Sequence, residues 1–227
     1  MAQLTRVKLK APYLILIGDL ADPTYAKTGF GIVHWRPELV AGQLRFAGCK
    51  IDLGVPDLTV TEAVAAGAGS LLIGVAPIGG VVPDNWWQAI VEAAGAGLDI
   101  VCGLHFSLSD VPELADAAAT SGARLIDVRK PPARLPVGTG LRRPGKRLLT
   151  VGTDCAIGKK YSALALHEAM RDAGMNSTFR ATGQTGIMLA GEGIPIDAVV
   201  ADFISGAAET LSPANDENHW DVIEGQG

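Results

Sequence analysis

Cysteine is scarce in this chain: Cys49, Cys102 and Cys155 are the three among 227 residues. They are odd in number and far apart, which speaks against a disulfide framework and fits a reducing, cytoplasmic setting. No Cys or His group has zinc-ligand spacing, so no metal centre is expected. Positive charge is also short. Nineteen Lys and Arg stand against 24 Asp and Glu, a net charge of −5. That balance argues against a surface for nucleic acid or anionic membrane. Long apolar runs are missing too, because Gly, Asp and Pro interrupt every stretch of transmembrane length. The apolar stretch at residues 13–17, behind the basic N-terminal residues, is too short for a signal-peptide core.

What the chain does have is hydrophobic residues, 48% of the total. They fall in short apolar runs alternating with Ala-rich stretches, the pattern of βαβ units. In the first half, residues 13–17, 70–75, 98–102 and 124–128 read as strands. Helices are expected over residues 61–66, with Thr61 as cap, over 83–94, and from Asp110 to Gly122. In the second of these, Trp86, Ile90 and Val91 share one face, so Trp86 and Trp87 read as packing residues rather than a stacking platform.

A Pro- and Arg-rich break spans residues 130–146 and reads as an exposed linker. It separates an N-terminal domain, residues 1–135, from a C-terminal one, residues 146–227. The second half repeats the alternation. Strands are expected at 148–151, 177–181, 198–203 and 220–224, with helices at 161–173 and 207–211. The sequence stops at Glu224-Gly225-Gln226-Gly227, and a strand followed by a Gly-rich loop suits a domain left incomplete there.

The most specific motif lies between the first strand and first helix of the second half. Gly152-Thr153-Asp154-Cys155-Ala156-Ile157-Gly158-Lys159 has GxxxxGK spacing. In such a loop the glycines let successive N–H groups point into one concavity. The following helix adds its positive end, and the Lys reaches a phosphate oxygen. A ligand carrying phosphate or pyrophosphate follows. The full nucleotide-binding pattern next requires Ser or Thr to hold Mg²⁺, and Lys160 stands there instead. Phosphate binding is therefore better supported than metal-assisted phosphoryl transfer.

Other candidates sit at the carboxyl ends of expected strands, where ligands of parallel sheets gather. Thr182-Gly183-Gln184-Thr185-Gly186 permits close backbone approach to a ligand, or is a structural turn. Glu224 and Asp202 are acids in such positions. His105 follows the strand ending at Cys102, as a general base or as a hydrogen-bonded loop histidine. Lys27 follows the first strand, as an anion ligand or a solvated surface residue. Cys155 is a thiol of lowered pKa or a small loop residue.

These motifs occur in one order along nearly the whole chain. They include Ala26-Lys27-Thr28, Gly103-Leu104-His105, Asp127-Val128-Arg129, the phosphate loop, Ala181-Thr182-Gly183-Gln184-Thr185-Gly186 and Glu224-Gly225-Gln226-Gly227. Together they resemble a bacterial and archaeal family with an N-terminal Rossmann-like domain and a C-terminal P-loop-like domain. That family includes a D-glutamate N-acetyltransferase, and its members continue past the Glu-Gly-Gln-Gly motif. The resemblance implies an α/β fold of two domains, a Rossmann-like parallel sheet followed by a P-loop NTPase-like one. It further implies acetyl-CoA as cofactor, transfer to the amine of D-glutamate in D-amino-acid catabolism, and a homo-oligomer.

The cofactor would lie on Gly152, Thr153, Asp154, Cys155, Gly158, Lys159, Lys160, Gly183, Gln184 and Thr185. Lys27 and Arg129 would hold substrate carboxylate, and His105, Asp202 and Glu224 are the candidate bases. The second half also looks like dethiobiotin synthetase, whose loop has a similar Gly-Thr-Asp start. The alternative is thus an ATP- and Mg²⁺-dependent ligase or kinase acting on a small carboxylate. A non-catalytic nucleotide sensor is the third class.

Overall fold

The computed structural model describes residues 5–6, 9–154 and 157–226. It divides into two compact units, Lys8–Val128 and Arg129–Gly227, the latter joined by the short N-terminal strand β1 (Thr5–Arg6). Among the described residues no helix is long and apolar enough to cross a membrane.

The first unit runs β2 (Tyr13–Gly18), α1 (Lys27–Trp35), β3 (Val40–Arg45), α2 (Val60–Ala65), β4 (Ser70–Ile73), α3 (Asp84–Gly95), β5 (Asp99–Cys102), α4 (Pro112–Ser121) and β6 (Leu125–Asp127). The sheet is parallel throughout, in the order β3-β2-β4-β5-β6. Every residue of β2, β4 and β5 is buried, which explains the apolar runs at 14–17, 71–73 and 100–102: both faces of a parallel sheet are covered. Trp86 is fully buried and its indole N–H donates to Asp19 at 2.9 Å, so it is a packing residue as expected. Strand order reverses between β2 and β4. There the start of α1 and the turn before it are laced to the loop after β4 by Gly29 N–H to Gly74 O, 2.8 Å, and Ala76 N–H to Tyr25 O, 2.8 Å.

Two features of this unit depart from the expectation. The cap of α2 is Thr59, not Thr61. Thr59 and Glu62 form a reciprocal capping box, and Glu62 must stand three residues after the cap. Elements α1 and β3 were not expected at all. The central residues of β3 are Gly42 and Gln43, and Gln43 is buried because its amide satisfies a loop. It donates to Asp52 and Val55 O, and accepts from Leu53 N–H.

The second unit runs β7 (Lys146–Leu149), α5 (Lys159–Asp172), β8 (Ser177–Arg180), α6 (Gln184–Ala190), β9 (Glu192–Gly193), α7 (Ile204–Leu211) and β10 (Trp220–Ile223). Three strands form a parallel sheet in the order β7-β10-β8, and β1 pairs antiparallel with β9. The strand latest in sequence is thus the central one. Helix α7 packs Ala207 and Leu211 against Ile194 and Val199. Its end is fixed by polar contacts: buried Asp221 accepts from Ser212 Oγ at 2.6 Å and Arg180 Nε at 2.8 Å.

Residues 198–203 are not a strand. Two 3-10 turns, Ile196–Ala198 and Ala201–Phe203, lead into α7. Turn bonds from Val199 N–H to Ile196 O and from Phe203 N–H to Val200 O satisfy the backbone locally. Val199 reaches the core while Val200 is 65% exposed, so the apolar run has no sheet to enter. The Pro-rich break is no free linker either. Thr139 and Gly140 N–H both donate to the Glu209 carboxylate of α7, and a Cβ on Gly206 would stand 1.7 Å from Pro136 O.

Candidate functional site

Between β7 and α5 the loop is described at residues 150–154 and 157–158. Gly158 caps the helix in a left-handed conformation, φ 101°, which glycine adopts without strain. A Cβ on Gly152 would lie 2.1 Å from Ile157 Cδ1, so Ile157 packs across the bare glycine. No side chain caps α5 and no acid stands in its first turn. Two lysines stand there instead, opposing the helix dipole, and a bound anion would reconcile both. Gly152, Thr153 and Asp154 are exposed, whereas Lys159 is buried and donates from Nζ to Asp154 O within its own loop. Lys160 is half-buried, 5.1 Å from the Tyr161 ring centre. Cys155, named above with this loop, lies outside the described residues.

The structure brings two further motifs to this loop. Glu224 follows β10, beside β7, and its backbone N–H continues the ladder to Arg180 O at 3.0 Å. Its carboxylate is buried. Oε2 accepts from Thr182 N–H and Gly183 N–H, both at 3.0 Å. Thr182 Oγ1 donates to Glu224 O at 2.7 Å and accepts from Gln226 Nε2 at 2.7 Å. Gly225 N–H donates to Thr150 Oγ1 at 3.1 Å.

Glycine is required at two of these positions by close approach. A Cβ on Gly225 would be 1.7 Å from Thr150 O, and one on Gly186 would be 2.2 Å from Glu224 Oε2. Burial pushes the Glu224 carboxyl above its ordinary value. The Gly183 and Thr182 amides and the Lys160 charge offset part of that, while Asp197 adds to it.

The other candidates fall as follows. Gln184 opens α6, a helix that the Gly-rich sequence hid, and Thr185 is buried in its first turn. Arg129 is 15% exposed at its side chain and pairs with Asp197. Asp202 is exposed, in the turn before α7 rather than at a strand end as expected. Lys27 and His105 belong to the first unit. Lys27 is the exposed first residue of α1, beside the strand-order reversal. His105 is an exposed residue in the bend after β5, and its Cδ2 lies 3.4 Å from where a Cβ on Gly80 would stand. Sequence reading missed Thr150, Asp197 and the side chain of Gln226. Only Gln226 carried a signal, through its place in the Glu-Gly-Gln-Gly motif.

Fold and motifs together agree with comparisons to known proteins. Residues 44–131 match the Rossmann-like domain DUF1611_N and residues 136–227 match the P-loop domain DUF1611_C, both described as domains of unknown function. The chain is 49% identical, over 96% of its length and 66% of the relative's, to a protein named D-glutamate N-acetyltransferase from Tritonibacter scottomollicae. It is 45% identical, over 97% of its length and 67% of the relative's, to one of the same name from a Pseudoalteromonas species. It therefore spans about two thirds of the length of these curated relatives. A crystal structure of a DUF1611 family protein from Anabaena variabilis superposes with TM-score 0.84 at 37% identity, covering 96% of this chain and 66% of that one. The chain belongs to the DUF1611 family, with the Rossmann-like and P-loop domains in that order.

Proposed function

We propose that this chain takes part in acetyl-CoA-dependent N-acetylation of D-glutamate, as a step of D-amino-acid breakdown. The carrying observation is the uncapped start of α5, where Lys159 and Lys160 replace the acid that would suit a helix start and the hydroxyl that would hold Mg²⁺. That arrangement fits the pyrophosphate and 3′-phosphate of coenzyme A, which need positioning but no metal-assisted transfer. The names of the two curated relatives support the acceptor and the reaction. Arg129 would hold a substrate carboxylate by its bidentate fork, exchanging its present partner Asp197, with Lys27 as the other candidate cation.

One observation favours the ATP-dependent ligase or kinase. Glu224 stands just past β10, the strand beside the phosphate-loop strand, where an acid can serve a metal ion. Against it, two backbone amides already occupy Oε2 and burial favours the protonated form.

A thiol-release assay separates the two. With acetyl-CoA and D-glutamate the protein should liberate free coenzyme A thiol, and EDTA should leave the rate unchanged. Turnover that requires ATP and Mg²⁺ and yields ADP would replace this reading with the ligase or kinase. Binding of acetyl-CoA with no turnover of any amino acid would leave the sensor.

A further inference from the structure

We propose that Glu224 is the general base for the acceptor amine, acting through its Oε1. This rests on the acyl-transfer reading above. The two carboxylate oxygens are not equivalent. Oε2 is fixed by the Thr182 and Gly183 amides, which holds the group in place. Among the described residues no hydrogen bond reaches Oε1. It faces the side of Gly183 where a Cβ would stand 3.2 Å from it and 2.8 Å from Gln226 Nε2. Without a Cβ there, Oε1, an acceptor, and Gln226 Nε2, a donor, close in on the Gly183 α-carbon, too near for a methyl to fit unmoved.

These groups adjoin the phosphate loop. A Cβ on the neighbouring Gly225 would stand 3.3 Å from Lys159 Cδ. Asp202 and His105 are exposed, whereas Glu224 is 5% exposed, and a base shielded from water is the better match to an amine that must be kept neutral. The charges around it come from three elements. Lys160 and Lys159 lie on α5, the latter bonded to Asp154 O. Asp197 lies in a 3-10 turn and is held by Arg129. Arg180 lies on β8, held by Asp221 and Glu192.

Protons and electrons balance as follows. The substrate ammonium gives one proton to Glu224 Oε1. The nitrogen lone pair then attacks the thioester carbonyl carbon. The C–S bond breaks with its electron pair on sulfur, and the Glu224 carboxyl protonates the thiolate. The amide nitrogen loses its second proton through the regenerated carboxylate to solvent. The net products are N-acetyl amino acid, coenzyme A thiol and one proton.

The test uses Glu224→Gln, whose amide oxygen still accepts from Thr182 and Gly183, and Gly183→Ala, whose Cβ presses on Oε1 and Gln226 Nε2 at a backbone conformation otherwise open to alanine (φ −119°, ψ 161°). Glu224→Gln should lower kcat about 10²- to 10⁴-fold, with calorimetric affinity for coenzyme A unchanged. The acidic limb of its kcat/KM profile should vanish. In its place the rate should climb about tenfold per pH unit as free amine accumulates. Gly183→Ala should raise KM for the amino acid and leave coenzyme A affinity intact.

If Glu224→Gln keeps the wild-type limb, or if its loss of rate comes with loss of coenzyme A binding, Glu224 is an anchor for the start of α6 and the proposal falls. If wild type releases no thiol with any amino acid, the acyl-transfer reading fails first and takes the proposal with it.

Discussion

Glu224 and Asp99 are both buried carboxylates with opposite histories. Burial of Asp99 opposes its charge, but Arg124 and Lys10 bond to it and the net effect holds its carboxyl below the ordinary value. Its contribution to stability is present above the unfolded value and is lost as pH falls through the folded one. Asp99→Asn should therefore destabilise the protein by about 1–3 kcal/mol at neutral pH, the lower part being favoured because Arg124 and Lys10 are half in water. The deficit should shrink below about pH 4 in urea titrations.

Glu224 behaves in the reverse sense. Its folded carboxyl binds its proton more tightly than the unfolded one, so stability is complete below the ordinary value of 4.5 and declines as pH rises through the folded value. Glu224→Gln should melt at or above the wild-type temperature near pH 8, with the gap closing toward about pH 4 in scanning fluorimetry. A group kept against stability is consistent with a chemical duty.

At the scale of elements, α5 and its loop supply the most direct measurement. Lys159→Ala removes a buried ammonium from the start of α5 and the bond that ties it to Asp154 O. Calorimetric affinity for coenzyme A should fall by about 1–3 kcal/mol in a variant of unchanged circular dichroism. This loop was legible because strand, glycine spacing, lysine and helix are all local. The apolar strands β2, β4 and β5 were legible for the same reason.

What escaped depends on partners distant in sequence. Strand β3 is built on Gly42 and Gln43, whose reasons lie in residues 52–58. Helix α6 looks like a loop until Glu224 is seen pressed against Gly186. Residues 198–203 carry a strand's composition, yet their backbone bonds close on themselves. The contact of Glu224 with Thr182 bridges 42 residues of sequence, so spacing alone could rank it no higher than Asp202.

Taken whole, the molecule holds two parallel sheets, each closed within its own unit, and they differ in the order in which the chain fills them. In the first unit each strand after β2 pairs with one already made: β3 and β4 with β2, β5 with β4, β6 with β5. Its sheet can grow as the polypeptide leaves the ribosome. In the second unit β7 and β8 have no strand between them until Trp220–Ile223 arrives and inserts. Both strands wait with unpaired edges while the residues between them and Trp220 are made. This non-local closure is the slow kind, and the exposed interval is when proteolysis and mispairing act. In pulsed hydrogen exchange during refolding, amides of β7 and β8 should gain protection together, later than those of β2 and β4. Val222→Asp, at a fully buried central position, should abolish protection of β7 and β8 while leaving the first sheet protected.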